Sequence, residues 1–72
     1  MNWHPYPRDP QLHWCEHEDL VLNAHENGSW SVYSRTSRAE ARNSTLAPIV
    51  GPHGLEVAKA AAENAAKQML DA

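Results

Sequence analysis

The sequence DLVLNAHENGSWSVYSR, residues 19 to 35, decides the fold because two apolar runs flank an Asn-Gly pair, a strong β-hairpin signal. A two-residue turn at residues 27 and 28 would put the apolar side chains of the two strands on opposite faces of the sheet. A three-residue loop, residues 26 to 28, pairs His25 with Ser29 and gives Gly28 the left-handed conformation of a bulge. We predict this second register, because it gathers on one face Leu20, Leu22, Ala24, Trp30 and Val32. The opposite face then carries Asn23, His25, Ser31 and Tyr33, with Val21 as its apolar exception.

One further strand and one helix are predicted after the hairpin. Residues 45 to 50, TLAPIV, favour a third strand, at an edge or with a bulge because Pro48 has no amide hydrogen. Residues 55 to 70, LEVAKAAAENAAKQML, predict a helix, since alanine favours helix and apolar residues recur at three-four spacing. The polar residues 35 to 44, RTSRAEARNS, are expected to form a flexible loop before the third strand. The predicted core consists of Leu20, Leu22, Ala24, Trp30, Val32, Leu46, Leu55, Ala58, Ala62, Ala65 and Met69.

The N-terminal residues 1 to 11, MNWHPYPRDPQ, predict an extended arm, because their three prolines disfavour helix. The arm also carries Trp3 and Tyr6, large aromatic residues that are seldom left in water. Either the arm folds back over the domain, which we favour, or it waits for a partner. The fold class predicted is therefore α+β. Residues 12 to 72 form one domain, a three-stranded antiparallel sheet with one C-terminal α-helix packed across it (βββα).

Length and charge favour a binding module over an enzyme. A chain of 72 residues makes one domain, and a cleft that encloses a substrate would use up much of so small a core. The formal net charge is −3, with 9 acidic and 6 basic side chains, whereas general nucleic-acid binders are usually basic. No apolar leader or membrane-length apolar stretch occurs, so we expect a cytoplasmic protein without a membrane partner.

The stretch LHWCEHED, residues 12 to 19, raises the question of a metal or thiol site. In a strand, His13, Cys15 and His17 would share one face, and Asp19 or His25 could add a fourth zinc ligand. Against this, three such ligands lie in a line over about 13 Å, whereas a tetrahedral site needs them to converge. The alternative is a first strand that begins near Leu12 and Trp14, with its histidines and acids in solvent. Catalysis by Cys15 lacks an orienting third group, and no nucleotide or serine-hydrolase motif occurs, so we expect no enzyme and no cofactor.

Aromatic and charged side chains give two binding hypotheses. Trp3, Tyr6 and Trp14 are of the types that anchor protein interfaces, although they could instead complete the small core. Acidic side chains next to them would attract a basic protein surface, namely Glu16, Glu18 and Asp19. The second hypothesis is that a small sheet lies in a nucleic-acid groove and grips phosphates, or an acidic partner, through Arg35, Arg38 and Arg42. The negative net charge makes it the weaker of the two, and a solvated basic loop is the plain alternative.

The order of these elements resembles small proteins encoded by bacteriophages and prophages. The resemblance lies in ENGSWSV (residues 26 to 32), IVGP (residues 49 to 52) and the alanine-rich LEVAKAAAENAAKQML, and covers roughly residues 20 to 70. Many such proteins are non-enzymatic and bind a host machine. The resemblance therefore implies a monomer in the bacterial host cytoplasm that binds host RNA polymerase and alters transcription, or alternatively an anti-CRISPR protein that blocks a CRISPR effector complex. These groups share no single motif, so no residue role is carried over.

Overall fold

The chain folds into an antiparallel sheet with one C-terminal helix, as a computed structural model that describes residues 2–36, 42–43 and 52–71 shows. The strands and the helix are β1 (His4–Tyr6), β2 (Asp9–His17), β3 (Leu20–His25), β4 (Trp30–Ser34), β5 (Arg42–Asn43) and α1 (Pro52–Asp71). The strands follow one another in the order β1-β2-β3-β4-β5, each antiparallel to the next. The predicted α+β class is confirmed, whereas the predicted count of three strands is wrong, since the described residues alone form five.

The hairpin register predicted from the Asn-Gly pair is confirmed. His25 N donates to Ser29 O at 2.9 Å, and Gly28 N donates to His25 O at 2.9 Å. Gly28 has φ of 89°, a value that glycine adopts without a Cβ clash. Asn27 holds the loop with its side chain, because its Oδ1 accepts from Ser29 N at 2.9 Å. Leu22 therefore pairs with Val32 and Ala24 with Trp30, so these four side chains share the face toward α1.

The proline-rich N-terminal residues supply the first unforeseen strand. Residues 4–6 fold back as β1 and pair with β2, and the register shifts between Pro5 and Tyr6. A proline is tolerated here because β1 is an edge strand, whose outward amides need no partner. Strand β2 already begins at Asp9, so it crosses the predicted boundary between arm and domain at residues 11 and 12.

The other unforeseen strand is β5, which lies inside the predicted polar loop. Arg42 pairs with Val32, and Asn43 pairs with Ser31. The predicted third strand, residues 45 to 50, and the predicted core residue Leu46 lie outside the described residues. The helix starts at Pro52, three residues before the predicted start, since proline suits the first turn, where its missing amide has no helical partner.

The core lies between α1 and the sheet. Small alanines on α1 let the helix approach closely. The described apolar residues buried on this side are Cys15, Leu20, Leu22, Ala24, Val32, Ala58, Ala62, Ala65 and Ala66, while Val21 is buried on the opposite side of the sheet. Three predicted core residues, Trp30, Leu55 and Met69, are only partly buried. Cys15, in contrast, is fully buried, because its partner in the ladder is Leu22. In the described part of the chain, no helix is long and apolar enough to cross a membrane.

Candidate protein-binding face

The sheet has a second face, directed away from α1, which we call the open face. Cys15, Leu22 and Val32 face the helix, and alternate residues along a strand point to opposite sides. The register then puts on the open face His4, Leu12, Trp14, Glu16, Val21, Asn23, His25, Ser31 and Tyr33. Open faces of antiparallel sheets are usually polar, so the Trp and Tyr residues on this one need an explanation.

Trp14 lies at the centre of an aromatic cluster on the open face. Its ring centroid is 5.1 Å from that of His4 and 6.3 Å from that of Tyr6, with the ring planes tilted by 42° and 51°. Tilted rings at these distances attract one another. Trp14 and Tyr6 are partly buried, while His4 is exposed. The cluster is therefore held in place without being enclosed.

Tyr6 ties β1 to the middle of the sheet. Its hydroxyl donates to Asn23 Oδ1 at 2.9 Å, and Asn23 Nδ2 donates to Ser31 Oγ at 3.4 Å. Because Asn23 lies on β3, the Tyr6 side chain must cross β2 on the open face. Burial, together with the nearby Tyr33, raises the pKa of the Tyr6 hydroxyl above its ordinary value. The phenol stays neutral and can keep donating this hydrogen bond.

A surface ion pair crosses the same face. Arg35 directly follows β4 and donates through Nη2 to Glu16 Oε2 on β2. Because β3 lies between these strands, the pair spans β3 above Val21, the residue that pairs with both Glu16 and Tyr33. Val21 is only 9% exposed on this otherwise open face. Both charged side chains are about half exposed, at 47% for Arg35 and 48% for Glu16.

The β2–β3 turn holds the other two acidic residues of the predicted docking surface. Asp19 accepts hydrogen bonds from Ser34 Oγ at 2.5 Å and Thr36 Oγ1 at 2.8 Å, and its backbone oxygen accepts from Arg35 N. These bonds, that from Ser34 first, lower the pKa of the Asp19 carboxyl. Glu18 is exposed, with φ of 58°. Of the predicted acidic trio, Glu16 and Asp19 are thus engaged within the chain, and Glu18 projects at the turn.

Trp3 lies on the helix side, away from the other two predicted aromatic anchors. Its Nε1 donates to Glu63 Oε2 at 2.9 Å, and Lys59 Nζ lies 5.8 Å from its ring centroid. The indole also packs against the core cluster. Trp3 therefore packs on the helix side of the sheet, and only Tyr6 and Trp14 of the three share the open face.

The predicted arginine cluster is not brought together. Arg35 lies with Glu16 on the open face, whereas Arg42 pairs with Val32 in the ladder and so points to the helix side. There its Nη1 donates to Gln68 Oε1 at 3.5 Å. Arg38 lies outside the described residues. Arg35 and Arg42 cannot grip the same phosphate, because the sheet separates them.

The strand of alternating His and Cys residues does not form a metal centre in the described part of the chain. No group of three or more His, Cys, Asp or Glu side chains there is placed to hold a metal ion. Cys15 faces the core, and burial, followed by the charge of Glu63, raises the pKa of its thiol. A buried, protonated thiol is a poor nucleophile. The register thus corrects the expectation that this face of β2 lies in solvent.

Two surface features were missed by sequence reasoning. Tyr33 was placed on the outward face but not counted as a binding residue, although the hairpin alternation alone puts it near Val21. The other is a groove of about 440 Å³ between the end of β2 and the second half of α1. It is lined by His17, Glu63, Asn64, Lys67, Leu70 and Asp71. The sequence does not predict this groove, because the groove depends on how the helix crosses the sheet.

Comparisons with known proteins found no matching family model, no matching curated protein and no matching solved structure. The function of this chain is therefore inferred from the chemistry of its open face.

Proposed function

We propose that this protein is a non-enzymatic binding protein that docks through its open face on a basic surface of a bacterial host protein complex. The first candidate is host RNA polymerase, with altered transcription as the result. One observation carries the proposal: Trp14, with His4 and Tyr6 packed against it, lies on a sheet face that no described element covers.

The aromatic cluster favours binding over a purely structural role. Trp and Tyr supply much of the energy of protein interfaces, since they bury large apolar areas while keeping a polar edge. The hydrogen bond between Tyr6 and Asn23 fixes this part of the face before a partner arrives. Less conformational entropy is then lost when the complex forms.

The charge of the sheet favours a basic partner. Residues 2–36 carry two arginines, Arg8 and Arg35, against five acidic side chains, Asp9, Glu16, Glu18, Asp19 and Glu26. Such an excess speeds the encounter with a positive surface and repels nucleic acid. RNA polymerase and CRISPR effectors both present basic channels and clefts. The resemblance to small phage proteins supports a machine of this kind, with RNA polymerase as our first choice.

The test is affinity capture from bacterial lysate, followed by binding to the purified complex. We expect RNA polymerase subunits to be enriched by the wild-type protein and lost with Trp14→Ala, which removes the centre of the cluster. Glu18→Lys, at the exposed turn, should weaken capture, whereas the matched reversal Glu56→Lys on the outer side of α1 should not. Enrichment of CRISPR effector subunits instead would replace the first candidate by the alternative. If wild type and Trp14→Ala capture the same proteins, the open face is not a docking surface.

A further inference from the structure

We propose that Arg35 occupies the place of a partner's arginine: on binding, an arginine from a basic segment of the partner protein displaces Arg35 from Glu16 and packs against Trp14. This inference rests on the proposed function and names the chemistry that the open face recognises.

The positions of Glu16 and Trp14 fit one guanidinium group. The two residues are separated by a single position in β2, so their side chains leave the same face about 7 Å apart. A cation that Glu16 holds from the Trp14 side would be within reach of the Trp14 ring, since cation–π attraction extends to about 6 Å from the ring centroid. Arginine suits this place better than lysine, because its flat guanidinium can stack on the indole and still donate to a carboxylate.

The ion pair between Arg35 and Glu16 can be broken easily, so another cation can replace Arg35. Both side chains are about half exposed, and ion pairs of this kind are weak in water. Arg35 lies beyond the last residue of β4, and its backbone amide is held by Asp19 O. The side chain can therefore swing away while the backbone stays in place. Once released, the guanidinium remains beside the Asp19 carboxylate, whose pKa it already helps to lower.

The negative charge around Glu16 and Trp14 favours a cationic side chain of the partner. Glu18 and Asp19 lie at the same end of the sheet as Glu16, so a partner arginine enters a region of negative potential. A nucleic acid would bring phosphates to the same carboxylates, which repel them. A basic protein segment is therefore the occupant that the observations favour.

The test is titration of a labelled Arg-Gly repeat peptide into the full-length protein, with a Gln-Gly repeat peptide as the matched probe. We expect only the arginine peptide to bind and to shift the indole resonance that Trp14→Phe identifies. Glu16→Gln should weaken binding by about 1.5- to 5-fold, the range for one half-exposed ion pair. Arg35→Gln should strengthen binding by a similar factor, because the internal competitor is gone.

The matched control for Arg35→Gln is Arg8→Gln, which changes the net charge equally but lies in the β1–β2 turn. Equal gains in the two variants would mean long-range attraction alone and would overturn the inference. An unchanged or weaker affinity for Arg35→Gln would also overturn it. So would binding of a single-stranded oligonucleotide that Arg35→Gln abolishes. If the host complex is captured through Trp14 but the Arg35 and Glu16 variants bind it as the wild type does, this inference fails while the proposed function stands.

Discussion

At the scale of single residues, the β2–β3 turn shows where this chain accepts local strain. Among the described residues, Glu18 is the one non-glycine residue with a positive φ, 58°. The left-handed region brings Cβ close to the backbone in every residue except glycine. Nothing in its side-chain contacts requires a glutamate here, because the side chain is exposed. A glutamate at this position adds to the negative charge at this end of the sheet, whereas the backbone conformation of the turn would favour glycine.

We therefore expect Glu18→Gly to be more stable than Glu18→Ala by roughly 0.5–1 kcal/mol. Both variants remove the same charge, so only the backbone preference differs between them. Chemical denaturation monitored by circular dichroism measures the difference. Equal stability of the two variants would show that the turn is not strained.

Asp19 makes the stability of the fold depend on pH. Its folded pKa lies below the ordinary value of 3.8, chiefly because Ser34 donates to the carboxylate. Because the folded pKa is lowered, the ionised Asp19 carboxylate stabilises the fold fully above the ordinary pKa. This stabilisation is lost as the pH falls through the folded pKa. We expect Asp19→Asn to be less stable than wild type at pH 7, with the gap narrowing below about pH 4. Ser34→Ala should reduce the same acid-sensitive part of the folding stability, because it removes a hydrogen bond to the Asp19 carboxylate. Unfolding curves at a series of pH values check both, and a gap that stays constant with pH would contradict the assignment.

At the scale of elements, the N-terminal segment that contains β1 contacts both the sheet and the helix. Trp3 binds Glu63 on α1, Tyr6 binds Asn23 on β3, and the strand itself pairs with β2. Trp3 directly precedes His4, which pairs with Trp14, and its indole packs against the core cluster that contains Cys15. The thiol therefore owes part of its burial to the arm.

Trp3→Ala should lower the free energy of unfolding by about 2 kcal/mol, less than a fully buried tryptophan would cost. It should also speed the reaction of Cys15 with a disulfide reagent under native conditions, because the covering indole is lost. The matched control is Trp14→Ala, the same change on the open face, which should leave the thiol as slow as in wild type. Similar rates in all three proteins would mean that the arm does not cover Cys15.

Sequence reasoning succeeds at the elements whose signals are local. The hairpin was predictable in full, because Gly28 and the apolar alternation demand the same register. It failed at β1, since prolines argue against a strand unless the strand is known to lie at an edge. It also failed at Cys15, because His13 and His17 make its face look polar until pairing with Leu22 turns it inward. Of the candidate site, Tyr6, Trp14 and Glu16 were found from residue type, but their common face depends on that pairing.

At the scale of the whole molecule, the two faces of the sheet have different physical tasks. The helix-covered face buries small and medium side chains, and Leu22, Val32 and Cys15 are the largest fully buried ones among the described residues. A chain of this length has a narrow margin of stability, so each core side chain matters. The open face keeps its aromatic residues partly exposed, where they contribute less to folding.

This division predicts that folding and binding can be separated by mutation. Val32→Ala should cost about 2 kcal/mol, because it empties space in a core with little room to adjust. Trp14→Ala should cost less stability, since its ring is partly exposed, yet it should abolish capture of the host complex. Melting temperatures and binding to the captured complex, both measured well below the transition, give the comparison. The folded fraction of Val32→Ala should bind as the wild type does, because its change lies on the helix side. If Val32→Ala loses binding while still folded, or Trp14→Ala loses stability in proportion to binding, the two faces are coupled and the open face is part of the folding core.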